Sequence, residues 1–155
     1  MSDPSDGPLA DDDTRTALAA ALAAEHAAIW AYGLASAYLA PADEAAATTA
    51  ATAHRTRRDA VEAFSEGAGV APAPAAAAYG TPAPVTDARS AAALLAVVEG
   101  DTATGWRALL ERTDDPMLRR TGIDAVVGAS TTGVTWRGRA GTTPLVDPFP
   151  GATST

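Results

Sequence analysis

LAAALAAEHAAIWAYGLASAYLA, residues 18–40, decides how this chain is read. It is an alanine and leucine stretch in which Glu25 and His26 are the only acidic or basic residues. Leu18, Leu22, Glu25, Ile29 and Tyr32 recur at three- and four-residue spacing. That spacing puts the carboxylate on the stripe a helix turns toward its neighbours. A carboxylate removed from water is costly unless a cation, a proton or hydrogen-bond donors compensate it. The chain must supply that compensation. His54 and Arg58, on the next helical segment, are the expected partners, so Glu25, His54 and Arg58 are read as a buried polar network.

Working outward, residues 1–12 are rich in Ser, Asp, Gly and Pro without periodicity and read as a disordered acidic arm. A first helix is expected from about Asp13 to Leu39, with acidic residues at its positive end. Pro41 ends it and suits the first turn of a second helix, residues 42–66, so these two helices are antiparallel neighbours. The inner stripe of the second helix reads Ala47, Ala51, His54, Arg58, Val61 and Ser65. GVAPAPAAAAYGTPAPV, residues 69–85, is punctuated by proline and reads as an extended crossover from one end of the molecule to the other. A third helix is expected from Thr86 or Asp87 to about Arg112. A fourth starts at Asp115-Pro116 and runs to about Trp136, although Gly122, Gly128, Gly133 and a β-branched run lower its propensity. Residues 13–140 thus form one all-α, four-helix domain, and residues 141–155 an extended tail.

Composition narrows the function classes. Of the 155 residues, 47% are hydrophobic but only 5% aromatic, so small side chains must let helices approach closely. The formal net charge is -8, which disfavours nucleic acid and anionic membranes as partners. There is no cysteine, which excludes disulfides, thiolate metal sites and cysteine nucleophiles. The N-terminus lacks the basic and apolar regions of a secretory signal, and a cytoplasmic location is expected. No phosphate loop, Ser/His/Asp order or zinc-protease motif occurs.

Four helices, two short connections and one long crossover describe the ferritin-like plan. Its metal-binding members draw ligands for a pair of metal ions from all four helices. Here Glu25, His54, Glu99 and Asp124 each fall near the middle of one helix, and are the candidate ligands for iron or manganese. Ala51 and Val127 stand where a further Glu and His are needed, and Arg58 adds a cation to the same interior. The main expectation is therefore no cofactor and no catalysis, with the charges satisfying one another. An iron or manganese oxidoreductase or storage-type bundle with a reduced ligand set is the alternative. A small-molecule pocket lined by Trp106, Trp136, Tyr79 and Phe149 is a third.

EHAAIWAYG (25–33), HRTRRDA (54–60), PVTDARSA ahead of a helix carrying Glu99, and the closing WRGRAGTTPLVDPFPG resemble an actinobacterial ferritin-like domain family of unassigned function. The resemblance spans about residues 14–151. It implies a four-helix ferritin-like fold and no established activity. The expected partners are a second copy of the chain or another protein.

Overall fold

Aspartate side chains start three of the four helices. In the computed structural model, which describes residues 7–152, Asp11 accepts a hydrogen bond from the Thr14 amide at 2.7 Å and opens α1, Asp12–Ala35. A 3-10 turn, Pro41–Asp43, leads into α2, Glu44–Gly67. Asp87 opens α3, Ala88–Leu110, through a reciprocal box with Ser90. Asp115 accepts from the amides of Met117 and Leu118 and opens α4, Pro116–Ala140. Each such cap satisfies amides that a helix leaves unpaired, worth about 1 kcal/mol. No strand occurs among the described residues.

The four helices lie side by side in a packing compatible with a bundle. α1 packs on α2 and α3, α3 packs on α4, and α2 and α4 barely meet. Small residues make the close approaches possible. A side chain on Gly105 of α3 would begin 3.3 Å from the Ala21 Cα of α1. The buried stripe of α4 reads Leu118, Gly122, Ala125, Ala129, Gly133, Trp136 and Ala140.

That stripe explains why α4 continues four residues beyond the expected end. Its glycines cost helix propensity but let α4 sit tightly on α3, and tertiary packing outweighs propensity. Ser130 and Thr131 also turn their hydroxyls back onto the Val126 and Val127 carbonyls. α1 ends earlier than expected, at Ala35. Ser36 bonds the Gly33 carbonyl there at 2.7 Å and the chain turns before Pro41.

Residues 1–6 of the expected arm lie outside the described residues. Leu9, further along it, is buried in the core, and Arg15 donates to its carbonyl. The crossover runs along α1. His26 meets the Ala73 carbonyl at 3.3 Å, and Trp30 packs on Tyr79 with ring centroids 5.6 Å apart. α4 ends at Gly141 in the left-handed conformation (φ 69°), where Arg89 of α3 donates to the Ala140 carbonyl at 2.8 Å.

The apolar core has two parts. One is dominated by alanine and surrounds Tyr32, Leu95 and Trp136. The other holds Leu18, Leu22, Val61, Trp106, Leu109 and Leu118. α1 has the length and mean hydropathy (1.3) of a membrane-crossing helix, yet half of that window is buried inside the protein. This is weak evidence for a membrane span and is consistent with the core helix of a soluble protein.

Candidate functional site: a buried polar layer

Between the two apolar parts lies a layer of polar side chains from all four helices. The Glu25 carboxylate of α1 is fully buried and accepts from three donors. Its Oε2 faces His54 Nδ1 at 2.6 Å, and its Oε1 takes both Arg57 Nε and Trp106 Nε1 at 2.6 Å. On its other side the His54 ring reaches Glu99 of α3, with Nε2 to Oε1 at 3.2 Å. The same Glu99 oxygen accepts from the Tyr32 hydroxyl at 2.5 Å, and Trp136 Nε1 donates to that hydroxyl at 2.7 Å. The chain therefore runs Trp106, Glu25, His54, Glu99, Tyr32, Trp136, with Arg57 flanking it. Two carboxylates face one imidazole and one guanidinium. Among the described residues no buried side-chain polar atom lacks a partner.

The arrangement sets the proton on each group. Both His54 nitrogens face carboxylate oxygens, so both donate and the ring is held as an imidazolium. Burial pushes its pKa down, but the hydrogen bonds to Glu25 and Glu99 and their charges outweigh it, and the pKa is raised above 6.5. Burial likewise pushes Glu25 up. The hydrogen bond from His54 and the charge of Arg57 prevail there, holding the carboxyl below its ordinary 4.5. Tyr32 is pushed far up by burial and then by the Glu99 charge beside it, so it remains a donor. Arg57 Nη2 also lies 2.8 Å from His54 Nδ1. That nitrogen cannot both donate to Glu25 and accept from Arg57. The shorter contact to an opposite charge decides its role, and Glu25 holds the two cations together.

The structure brings Glu25 and His54 together and adds Glu99. It corrects two other expectations. Arg58 is not in the layer: it bonds Asp59 at 2.6 Å on the outer face of α2 and lies 4.0 Å from Glu62. Arg57 takes the inner position. One residue is about 100° of helix turn, which carries Arg58 outward and swings Arg57 toward α4. There its guanidinium passes beside Gly128, 3.9 Å from where a side chain would begin, an ordinary contact distance. Asp124 is the second correction. It is exposed and faces an open groove of about 490 Å³ between α2 and α4, with Thr49, Thr56 and Thr121. It falls outside because the buried stripe of α4 steps from Gly122 to Ala125.

The expected aromatic pocket does not form either. Trp106 and Trp136 are buried in the polar layer, Tyr79 lies on Trp30, and Phe149 is 69% exposed. Sequence reasoning missed Arg57, both indole N–H groups and the Tyr32 hydroxyl. A signal was present: Tyr32 follows Glu25, and Trp106 follows Glu99, by seven residues, two helical turns along the same face.

The donor set does not suit a pair of metal ions. Glu25 and both ring nitrogens of His54 are committed to hydrogen bonds, and the Arg57 guanidinium already neutralises Glu25 at 2.6 Å. Among the described residues, no three His, Asp or Glu side chains are arranged as ligands of one ion.

Comparison with known proteins agrees with the fold. No curated protein matches the chain. The crystal structure of a conserved hypothetical protein from Mycobacterium tuberculosis is similar, with a TM-score of 0.78 and 35% identity. The match covers 81% of this chain and 96% of that one. A family model described as a domain of unknown function, DUF4439, matches residues 17–154, and the chain belongs to that family.

Proposed function

We propose that this protein is a ferritin-like four-helix bundle that works without catalysing a reaction, as a structural or partner-binding module of the cytoplasm. The observation that carries the reading is the mutual pairing of the charges in the polar layer. Glu25 accepts from three side chains on α2 and α3, and His54 spends both nitrogens on carboxylates from α1 and α3. Such a layer fixes which helices meet and at what level, because any slip leaves a buried charge unpaired. The order of two helix pairs joined by a long crossover supports the ferritin-like part of the reading. The function then resides on the outer surface, toward a second copy of the chain or another protein, with no cofactor, nucleic acid or membrane involved.

The meeting of Glu25, His54 and Glu99 at one level favours a second reading, an iron- or manganese-binding bundle with a reduced ligand set. One experiment separates the two. The purified protein and His54→Ala are incubated anaerobically with Fe(II) or Mn(II), desalted and analysed for metal. The structural reading expects no stoichiometric metal in either, and a large loss of thermal stability in the variant. One equivalent of metal in the parent that vanishes in the variant overturns it.

A further inference from the structure

We propose that the cleft between α3, α4 and the closing segment is a binding site for a small primary amine with a short apolar body. The cleft measures about 240 Å³, and Glu99, Ala103, Val134, Arg137, Val146 and Asp147 line it. Glu99 is only 2% exposed, and its two oxygens are unequal. Oε1 carries both hydrogen bonds of the polar layer, from Tyr32 and from His54. Oε2 receives none from the described residues and is not sealed from solvent. A nearly buried carboxylate oxygen bordered by apolar walls calls for a donor, and an ammonium group supplies three.

The wall that completes the cleft is firmly built. A side chain on Gly151 (φ 74°) would lie 2.6 Å from the Ala103 carbonyl oxygen, so the backbone of the closing segment lies directly on α3. Arg107 fastens it there through the Pro150 carbonyl at 3.3 Å. Arg137, the one cation on the lining among the described residues, has Nη1 turned to the Leu145 carbonyl at 3.3 Å, and Asp147 adds a second acid to the lining. An ammonium head fits on Glu99 Oε2, with its alkyl body along Ala103, Val134 and Val146. This assigns a role to the closing stretch 141–151, which the polar layer does not use.

The test is calorimetric titration of the full chain with n-hexylamine, hexan-1-ol and hexanoate at pH 7. Hexylamine is expected to bind one site, at least tenfold more tightly than hexanol, with no binding of hexanoate. Gly100→Leu adds bulk at a lining position, where a side chain would begin with nothing within 4 Å, and it raises helix propensity. It is expected to abolish binding while leaving the melting temperature unchanged or higher. Val146→Arg, at a 60% exposed position on the mouth, is expected to weaken hexylamine at least tenfold without unfolding the protein. Absence of hexylamine binding, equal affinity for hexanol, or undiminished binding by Gly100→Leu overturns the proposal.

Discussion

Arg57 and Arg58 are adjacent in sequence and opposite in circumstance. Arg57 enters the polar layer, 15% exposed, and meets the fully buried Glu25 at 2.6 Å. Arg58 lies on the outer face, where Asp59 is 63% exposed and Glu62 34%. Both make ion pairs. The difference teaches that an ion pair's importance comes from what happens when it is broken. Outside, water replaces a lost partner at almost no cost. Inside, the fully buried Glu25 is out of reach of water, and breaking such a pair leaves a poorly solvated charge at a cost of about 3–5 kcal/mol.

The largest effect expected follows directly. Glu25→Gln removes the acid paired with Arg57 and one of the two acids facing His54, and should lower unfolding stability by about 3–5 kcal/mol in urea titrations. Comparable losses from Glu25→Gln and from Glu62→Gln on the surface would erase the contrast. The next effect is on pH. The depressed Glu25 contributes stability that is present above 4.5 and lost as pH falls through its folded-state pKa. The raised His54 contributes stability that is fully present below 6.5 and lost as pH climbs through its folded-state value. Both contributions are whole between those limits, so thermal stability should peak in mildly acidic buffer and decline on either side. His54→Gln should remove the alkaline decline.

Tyr32→Phe comes third. It deletes one donor to Glu99 and the acceptor for Trp136, and should cost about 1–3 kcal/mol. Arg58→Ala is the smallest, below about 0.5 kcal/mol, with a change that shrinks further in high salt. A loss from Arg58→Ala matching that from Arg57→Ala would show that the two arginines had been assigned to the wrong faces.

The same contrast shows what the amino-acid order makes legible. The all-helical class is readable from the spacing of Leu18, Leu22, Glu25, Ile29 and Tyr32 and from the prolines between segments. A shared level for Glu25, His54 and Glu99 follows from their mid-helix positions. The choice between Arg57 and Arg58 is not readable in that way. They follow His54 by three and four residues, and the rotation of α2 against α1 selects one. Asp124 is hidden for the same reason, because a rotation of one residue separates an inward from an outward carboxylate. The hydrogen bonds of Trp106 and Trp136 were masked by their size, which suits plain packing equally well. The continuation of α4 through its glycines depends on contact with α3, which local propensity does not encode.

The central claim is that Glu25 meets an imidazolium and a guanidinium in a water-poor interior. The chain holds two histidines, so their ring signals can be assigned by one substitution and followed by NMR as pH is raised. His54 is predicted to remain protonated above pH 6.5 and to lose that behaviour in Glu25→Gln. Titration of His54 at or below 6.5, unchanged by Glu25→Gln, would contradict the account.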